Sequence, residues 1–438
     1  MFGTDGIRGI VDSDIDSSLA YKIGKAISLY IEKNNLKNEV IIGFDTRVSN
    51  HTLAYALGVG VIDYGVNVSI VGVVPTAAIS YLSRNNNAIG VMITASHNSK
   101  EYNGIKIIDN EGYKITSFTE QVLKNLLNKR CKKPFLKGKV CIEPNYKKTY
   151  IEYLNKYFGS LESKFTYVFD TAFGSNYDID KTILKLISLN YKLINNKPSG
   201  ELINDGVGAE HIEHIKDYIK NKENVLGFAF DGDADRLRVV DSSNYVYTGD
   251  EIIYVLAKYL KKQNKLYRNA VVGTEITSKS LEVSLSNIGV KLIRVKVGDK
   301  NIIECMKNNG YALGGEDSGH ICMLEYNTTS DALFNALYLI KVLEFYKKPL
   351  KSLLKDYKKF DRITHNIKVS KEYKTEFYNN KSLQTNISSF LENHLSYNII
   401  VRPSGTENLI RIVVEGDKLG FDNIIKELTD IILEKNKG

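Results

Sequence analysis

One order of elements recurs three times along this chain, and it limits the folds open to it more than any single motif does. Each round opens with an apolar run that has an acidic residue at or just past its end: "VIIGFDTR" (40–47), "FTYVFDTAFGS" (165–175) and "AVVGTEITSKS" (270–280). A helical stretch follows, then a second apolar run leading into a Gly or Pro turn: "NVSIVGVVPTA", "NYKLINNKPSG" and "VKLIRVKVGDK". After another helical stretch comes a third run ending in a polar cluster, as "VMITASHNS", "GFAFDGDADR" and "YALGGEDSGH", and an apolar run returns each time. Strands alternating with helical patterns predict α/β units with largely parallel sheets. In such sheets ligands sit beyond the carboxyl ends of strands, so the three polar clusters are expected to line one cleft.

The tail reads differently: strand (363–369), helix (382–395), strand (397–401), the loop "RPSGTEN", strand (409–415) and helix (421–435). That pattern predicts a smaller α+β domain. A chain of 438 residues exceeds the roughly 250–300 at which one core stops growing, so several domains are required. Boundaries are expected near 147, 246 and 357, giving segments 1–147, 148–246, 247–357 and 358–438 with one polar loop each.

The composition, 43% hydrophobic and 25% charged, is that of a globular protein. The net charge of +8 comes from lysines scattered along the chain, without the basic stripe interleaved with aromatics that nucleic-acid binding needs. Cys131, Cys141, Cys305 and Cys322 show no CxxC spacing and read as reduced and structural. No signal peptide opens the chain, and the most apolar stretch (56–79) is broken by Asp63, Asn67 and Pro75, so a cytoplasmic protein with no membrane span is expected.

In "DGDADR", Asp231, Asp233 and Asp235 alternate, so a looped backbone aims three carboxylates at one point, as hard cations require. An acidic surface turn is the alternative, but an apolar strand delivers this loop. In "GGEDSGH", Glu316, Ser318 and His320 alternate as donors and acceptors suited to sugar hydroxyls or proton transfer; a structural turn explains them equally. In "RPSGTEN", Gly405 between hydroxyl residues, with Arg402 beside it, suits a phosphate cradle or a plain hairpin turn. Arg8 in "GTDGIRG" suits an oxyanion or a surface turn, and Lys106 is a cleft base or a solvated strand residue. Ser96 lacks the G-x-S-x-G elbow. Its neighbour His97 is expected to point the opposite way on an extended chain, which disfavours a Ser-His-Asp hydrolase. A serine that carries a phosphoryl group is the better chemical idea.

The set "TASHN", "DGDADR", "GEDSGH" and "RPSGTEN", in this order, resembles the α-D-phosphohexomutase family across essentially the whole chain. The opening "MFGTDGIRG" is similar to its glucosamine-phosphate branch. The resemblance implies a heart-shaped, four-domain enzyme: three topologically similar α/β domains with mixed sheets plus a smaller α+β C-terminal domain. It implies interconversion of hexosamine or hexose 6- and 1-phosphates through a hexose 1,6-bisphosphate, in the service of amino-sugar nucleotide and cell-wall precursor synthesis. By motif, Ser96 is the phosphorylated serine. Asp231, Asp233, Asp235 and a phosphoserine oxygen hold Mg²⁺. Arg236 lies near the phosphoryl group, and Glu316 and Ser318 contact sugar hydroxyls. Arg402, Ser404, Gly405 and Thr406 hold the non-reacting phosphate, while Arg8, Lys106 and His320 serve transition-state charge or proton transfer. Asn408 and Ser99 replace prolines usual in the family, and Asp317 stands in the sugar loop where the glucosamine branch has Gln.

Three rival readings follow from the same residues. One is a phosphomannomutase or phosphoglucomutase of the same family. Another is a sugar-phosphate phosphatase, although DxDx[TV] is not met because Arg236 and Leu237 follow Asp235. The last is a sugar-phosphate binding protein without catalysis.

Overall fold

The structure is a computed structural model describing residues 2–3, 6–132, 134, 137–159, 161, 165–404 and 407–433. The first unit contains β1 (Phe2–Gly3), β2 (Gly6–Ile10), β3 (Glu39–Phe44), β4 (Asn67–Val73), β5 (Ile89–Ile93), β6 (Tyr102–Ile108) and β7 (Val140–Ile142), in the sheet order β1-β2-β6-β5-β3-β4-β7. The second contains β8 (Thr166–Asp170), β9 (Tyr191–Ile194), β10 (Val225–Phe230), β11 (Leu237–Asp241) and β12 (Val246–Tyr247), ordered β12-β11-β10-β8-β9. The third contains β13 (Ala270–Thr274), β14 (Lys291–Val295), β15 (Leu313–Gly315) and β16 (Ile321–Met323), ordered β14-β13-β15-β16.

The three rounds of the sequence thus share one topology. In each, the first strand runs parallel to the second and third, and the fourth pairs antiparallel with the third. The sheets are therefore mixed, and the reason is connection length. A parallel crossover needs a dozen or more residues, and the polar clusters are too short, so each must be a hairpin. Each cluster accordingly sits at the carboxyl end of a central strand. β3, β5 and β10 are buried on both faces, which is why they read as unbroken apolar runs.

The C-terminal unit holds β17 (Asp361–Lys368), β18 (Asn398–Pro403) and β19 (Leu409–Gly416) in the antiparallel order β17-β19-β18, with helices Lys381–Glu392 and Phe421–Leu433 over one face. A short helix, Lys371–Glu376, which the sequence reading did not include, follows β17; Ser370 caps it by accepting from the Tyr373 amide. Its core is separate from those of the other units. One continuous core, rich in tyrosine, joins the second and third units with the near helices of the first. The cysteines are all free, with Cys322 buried and Cys141 exposed on the edge strand β7. No helix among the described residues is long and apolar enough to cross a membrane.

Candidate active site

Ser96 lies in the hairpin between β5 and β6, and its backbone is left-handed, with φ of 53°. For a residue with a Cβ this costs about 1–2 kcal/mol, so other contacts must hold it. The Ser96 amide donates to Thr94 Oγ1 at 2.8 Å, and Thr94 Oγ1 donates to Asp45 Oδ2 at 2.7 Å. Arg47, fully buried, spends all five of its N–H donors here. Nε reaches Asp45 Oδ2, Nη1 the carbonyls of Ser99 and Tyr102, and Nη2 those of Ser96 and Asn98. Asn204 of the second unit donates to the Ser96 and Asn98 carbonyls as well, at 2.8 and 3.1 Å.

The left-handed turn overturns one expectation from the sequence. Because the chain is not extended at Ser96, His97 does not point away: its Nδ1 is 3.3 Å from Ser96 Oγ. Burial, and then the positive charge of Arg236, pull the imidazole down to about 4, so His97 is neutral at physiological pH. The serine hydroxyl itself donates to Asp231 Oδ2 at 2.7 Å, across 135 positions of sequence.

Asp231, Asp233 and Asp235 occupy the equivalent hairpin between β10 and β11. All three are buried, with carboxylate oxygens within 4.8 Å of one another. Burial pushes the Asp231 carboxyl well up, and the charges of Asp235 and Asp233 push it further. Lys106 is a buried partner and not a solvated strand residue: its Nζ lies 2.8 Å from Asp233 Oδ2 and 3.0 Å from Asp235 Oδ2. Three carboxylates converging in a buried, all-oxygen pocket, with Lys106 and the Arg236 guanidinium as neighbouring cations, fit a hard divalent cation. Thr76 Oγ1 donates to Asp233 Oδ2, and His320 Nε2 stands 3.1 Å from Asp235 Oδ1. The Arg236 guanidinium is ion-paired to Glu210, and its amide donates to Asp231 Oδ1. Arg8, on β2, donates to Asn98 Oδ1 at 3.1 Å and so joins the serine loop.

Glu316 and Ser318 lie in the third hairpin, between β15 and β16. Glu316 Oε1 accepts from the Gly298 amide at 3.1 Å, and Ser318 Oγ is 3.4 Å from Glu316 Oε2. Gly319 (φ 97°) brings this loop against the acidic one: a Cβ there would lie 2.3 Å from the Leu237 carbonyl, whose amide bonds Gly319 in turn. The Asp317 carbonyl accepts from the Gly249 amide and Arg238 Nη1, and its carboxylate acts on Asp250 and Lys359. The fourth hairpin, between β18 and β19, carries Arg402 and buried Ser404, whose Oγ accepts from the Glu407 amide; Gly405 and Thr406 lie outside the described residues.

Ser96, Lys106, the three aspartates, Arg236 and His320 therefore form one contiguous cluster. Asp45, Arg47, Thr76, Asn204 and Glu210 escaped the sequence reading. Asp45 and Arg47 left a trace there as the polar end of "VIIGFDTR", and Thr76 as part of the turn that ends "NVSIVGVVPTA".

Comparison with known proteins adds the following. Four segments match Phosphoglucomutase/phosphomannomutase families: alpha/beta/alpha domain I over residues 1–133, domain II over 148–244, domain III over 248–360, and the C-terminal domain over 366–423. A phosphoglucosamine mutase of Clostridium kluyveri is 35% identical over 441 residues, covering 99% of this chain and 98% of its own. One from Alkaliphilus oremlandii is 37% identical over 425 residues, covering 95% and 94%. Among solved structures, a phosphoglucomutase/phosphomannomutase family protein of Burkholderia thailandensis superposes with a TM-score of 0.83 at 19% identity, covering 100% of this chain and 99% of its own. An Aspergillus fumigatus N-acetylphosphoglucosamine mutase, solved with GlcNAc-6P and magnesium, gives 0.69 at 15% identity, covering 98% and 95%.

Proposed function

Given that the chain belongs to the phosphoglucomutase/phosphomannomutase family, we propose that it interconverts glucosamine 6-phosphate and glucosamine 1-phosphate by phosphoryl transfer through Ser96. The observation that carries the chemistry is the Ser96 hydroxyl aimed at Asp231 inside a buried triad of carboxylates. The choice of sugar rests on relatives matched over nearly their full length that carry the name phosphoglucosamine mutase.

In this reading the resting enzyme carries a phosphoryl group on Ser96 Oγ. The sugar O1 attacks that phosphorus, the Oγ–P bond breaks, and the hydroxyl proton passes to Lys106 or His320. Both side chains border the acidic loop. The bisphosphate reorients, Ser96 Oγ takes the phosphoryl from O6, and the proton returns to the sugar. Asp231, Asp233, Asp235 and an oxygen of phosphorylated Ser96 would hold Mg²⁺, which supplies charge neutralisation at the transferring phosphoryl. Arg236 and Arg8 add fixed positive charge around it, and Lys106 does so where His320 is the group that takes the proton. Glu316 and Ser318 orient the sugar, and Arg402 and Ser404, with Gly405 and Thr406, hold the phosphate that does not react. Closure of the C-terminal domain excludes water from the phosphoserine. Domain limits near 147, 246 and 357 belong to the same reading, supported by matched segments that begin or end close by. So does a cytoplasmic location, where amino-sugar nucleotides are built.

Two measurements test this together. Comparing kcat/KM for glucosamine, glucose and mannose 6-phosphates should favour glucosamine, and a clear preference for a 2-hydroxy sugar overturns the choice of substrate. Phosphosite mapping of active protein should find phosphate on Ser96, and turnover with Ser96 always bare refutes the mechanism. Steady release of inorganic phosphate without isomerised sugar would point to a phosphatase instead.

A further inference from the structure

The helix Lys279–Asn287 of the third unit begins at a junction that nothing in the motif set describes. Its first four amides have no partners within the helix and need acceptors from elsewhere. Ser278, the cap, accepts from the Leu281 amide through its own Oγ at 3.1 Å. The Ser278 amide donates to Asp250 Oδ2 at 3.0 Å. The next two amides both go to one carboxylate from the C-terminal unit: Lys279 N to Glu415 Oε2 at 2.7 Å and Ser280 N to Glu415 Oε1 at 2.9 Å, with Ser280 Oγ adding a third bond at 2.6 Å. Glu415 is only 2% exposed although it sits on β19, at the boundary between two units.

Three features make this contact more than interface filling. A forked carboxylate on two successive amides at the positive end of a helix is a charge-assisted, directional contact, so it fixes orientation as well as distance. The segment joining the two units is fastened to the same helix, Phe360 N to Ser280 Oγ at 3.0 Å and Lys358 N to Ser284 Oγ at 2.8 Å. And β19 is the strand that leaves the hairpin of Arg402 and Ser404, so whatever fixes Glu415 fixes that loop through one continuous strand. The far side of the junction reaches the sugar loop: Asp250 lies in the helix Gly249–Lys262, whose first amide, that of Gly249, bonds the Asp317 carbonyl at 3.2 Å. A Cβ on Gly249 would come within 2.3 Å of the Glu316 carbonyl, so the loop rests directly on this helix end.

We propose that Glu415 is a positioning residue: by gripping the amides of Lys279 and Ser280 it sets the phosphate-holding hairpin of the C-terminal unit in register with the sugar loop. This rests on the mutase reading for the roles of those loops, but the grip itself does not. The substrate's non-reacting phosphate then meets Arg402 and Ser404 already in place. Without the grip the C-terminal unit spends less time in the competent position. Apparent affinity falls in proportion to that time, while the transfer step at Ser96, which Glu415 does not touch, keeps its rate.

The test is Glu415→Gln, which keeps the volume but presents an NH₂ to one of the two amides, so that donor meets donor. Hydrogen exchange on the free protein should speed at least about tenfold at Lys279 and Ser280, the expected cost of losing one charge-assisted bond. The Asn398 and Ile363 amides, which face β19 from the strands on either side, should keep their protection, showing that the sheet is intact. In steady state KM for the hexose phosphate that the wild type turns over should rise about tenfold with kcat within twofold, a competent fraction of about one tenth. Ser278→Ala is the control: it strips the same helix of its cap without untying the C-terminal unit, and should lower the unfolding temperature while leaving KM unchanged. Unchanged exchange at 279 and 280 in Glu415→Gln refutes the grip, and faster exchange with unaltered KM, or an equal KM rise in Ser278→Ala, refutes its positioning role. A wild type that isomerises none of the three sugars defeats the mutase reading, while the exchange data still decide on the grip.

Discussion

Replacing Arg47 by lysine tests whether the serine loop is held in its left-handed turn from behind. The guanidinium makes five bonds, one to the buried Asp45 carboxylate and four to carbonyls of the loop. Lysine has three donors, no planar fork and a shorter reach, so at most one or two of these bonds survive. The loss is uneven. Asn204 still serves the Ser96 and Asn98 carbonyls, and Asp45 keeps Thr94 Oγ1, Asn50 Nδ2 and the residue 47 amide. The Ser99 carbonyl, on an exposed residue, recovers part of its bonding from water. What remains without a partner is the Tyr102 carbonyl, so local opening of the loop should become easier by about 1–3 kcal/mol. Native-state hydrogen exchange at the Ser96 amide should therefore accelerate by about five- to 150-fold, with Val91 and Met92 on β5 as unaffected references. Displacing the reacting oxygen by about 1 Å should also lower kcat by about a hundredfold. An Arg47→Lys protein whose Ser96 amide exchanges within about threefold of wild type, with normal kcat, would refute the argument that this residue holds the loop.

Other expectations follow from the buried charges and the serine. Ser96→Ala should show no phosphorylated species by intact mass and should lose mutase turnover by at least about a thousandfold, since the covalent route is gone. Asp231→Asn should raise the unfolding temperature of metal-free protein at pH 8, because burial and two neighbouring carboxylates make its ionised form costly, and should abolish the further stabilisation by added Mg²⁺. Equal metal-free stability of variant and wild type would count against the crowded-carboxylate account. Asp250 is pushed up to about 7 by burial and then by the charge of Asp317, from an ordinary 3.8. The folded protein thus binds more protons at this site than the unfolded chain between pH 4 and 7. Stability from this group falls as pH rises through that window, and its cost is complete above about 7. Asp250→Asn, which can still accept from Ser278, should be more stable than wild type at pH 8.5 by up to about 4 kcal/mol and indistinguishable near pH 3.5. Calorimetry at the two pH values decides it, and a gap of the same size at both would be contrary evidence.

What the sequence determined by itself was local or periodic. Unbroken apolar runs marked β3, β5 and β10, polar clusters marked the four hairpins, and alternation of Asp231, Asp233 and Asp235 marked a point where three carboxylates converge, because strand burial and carboxylate spacing are set within a few residues. Even the mixed sheets were implicit in the shortness of the clusters. Tertiary structure decided what depends on groups far apart in the chain. Ser96 and Asp231 meet across 135 positions, and Lys106 becomes the buried partner of Asp233 across 127. His97 turns toward Ser96 because tertiary contacts hold a backbone angle that residue type alone disfavours. Glu415 reads as an ordinary residue near the end of a mostly apolar strand, and only the packing of two units brings it to the open end of another unit's helix. A helix terminus needs acceptors but does not specify whose, and that choice is made in three dimensions.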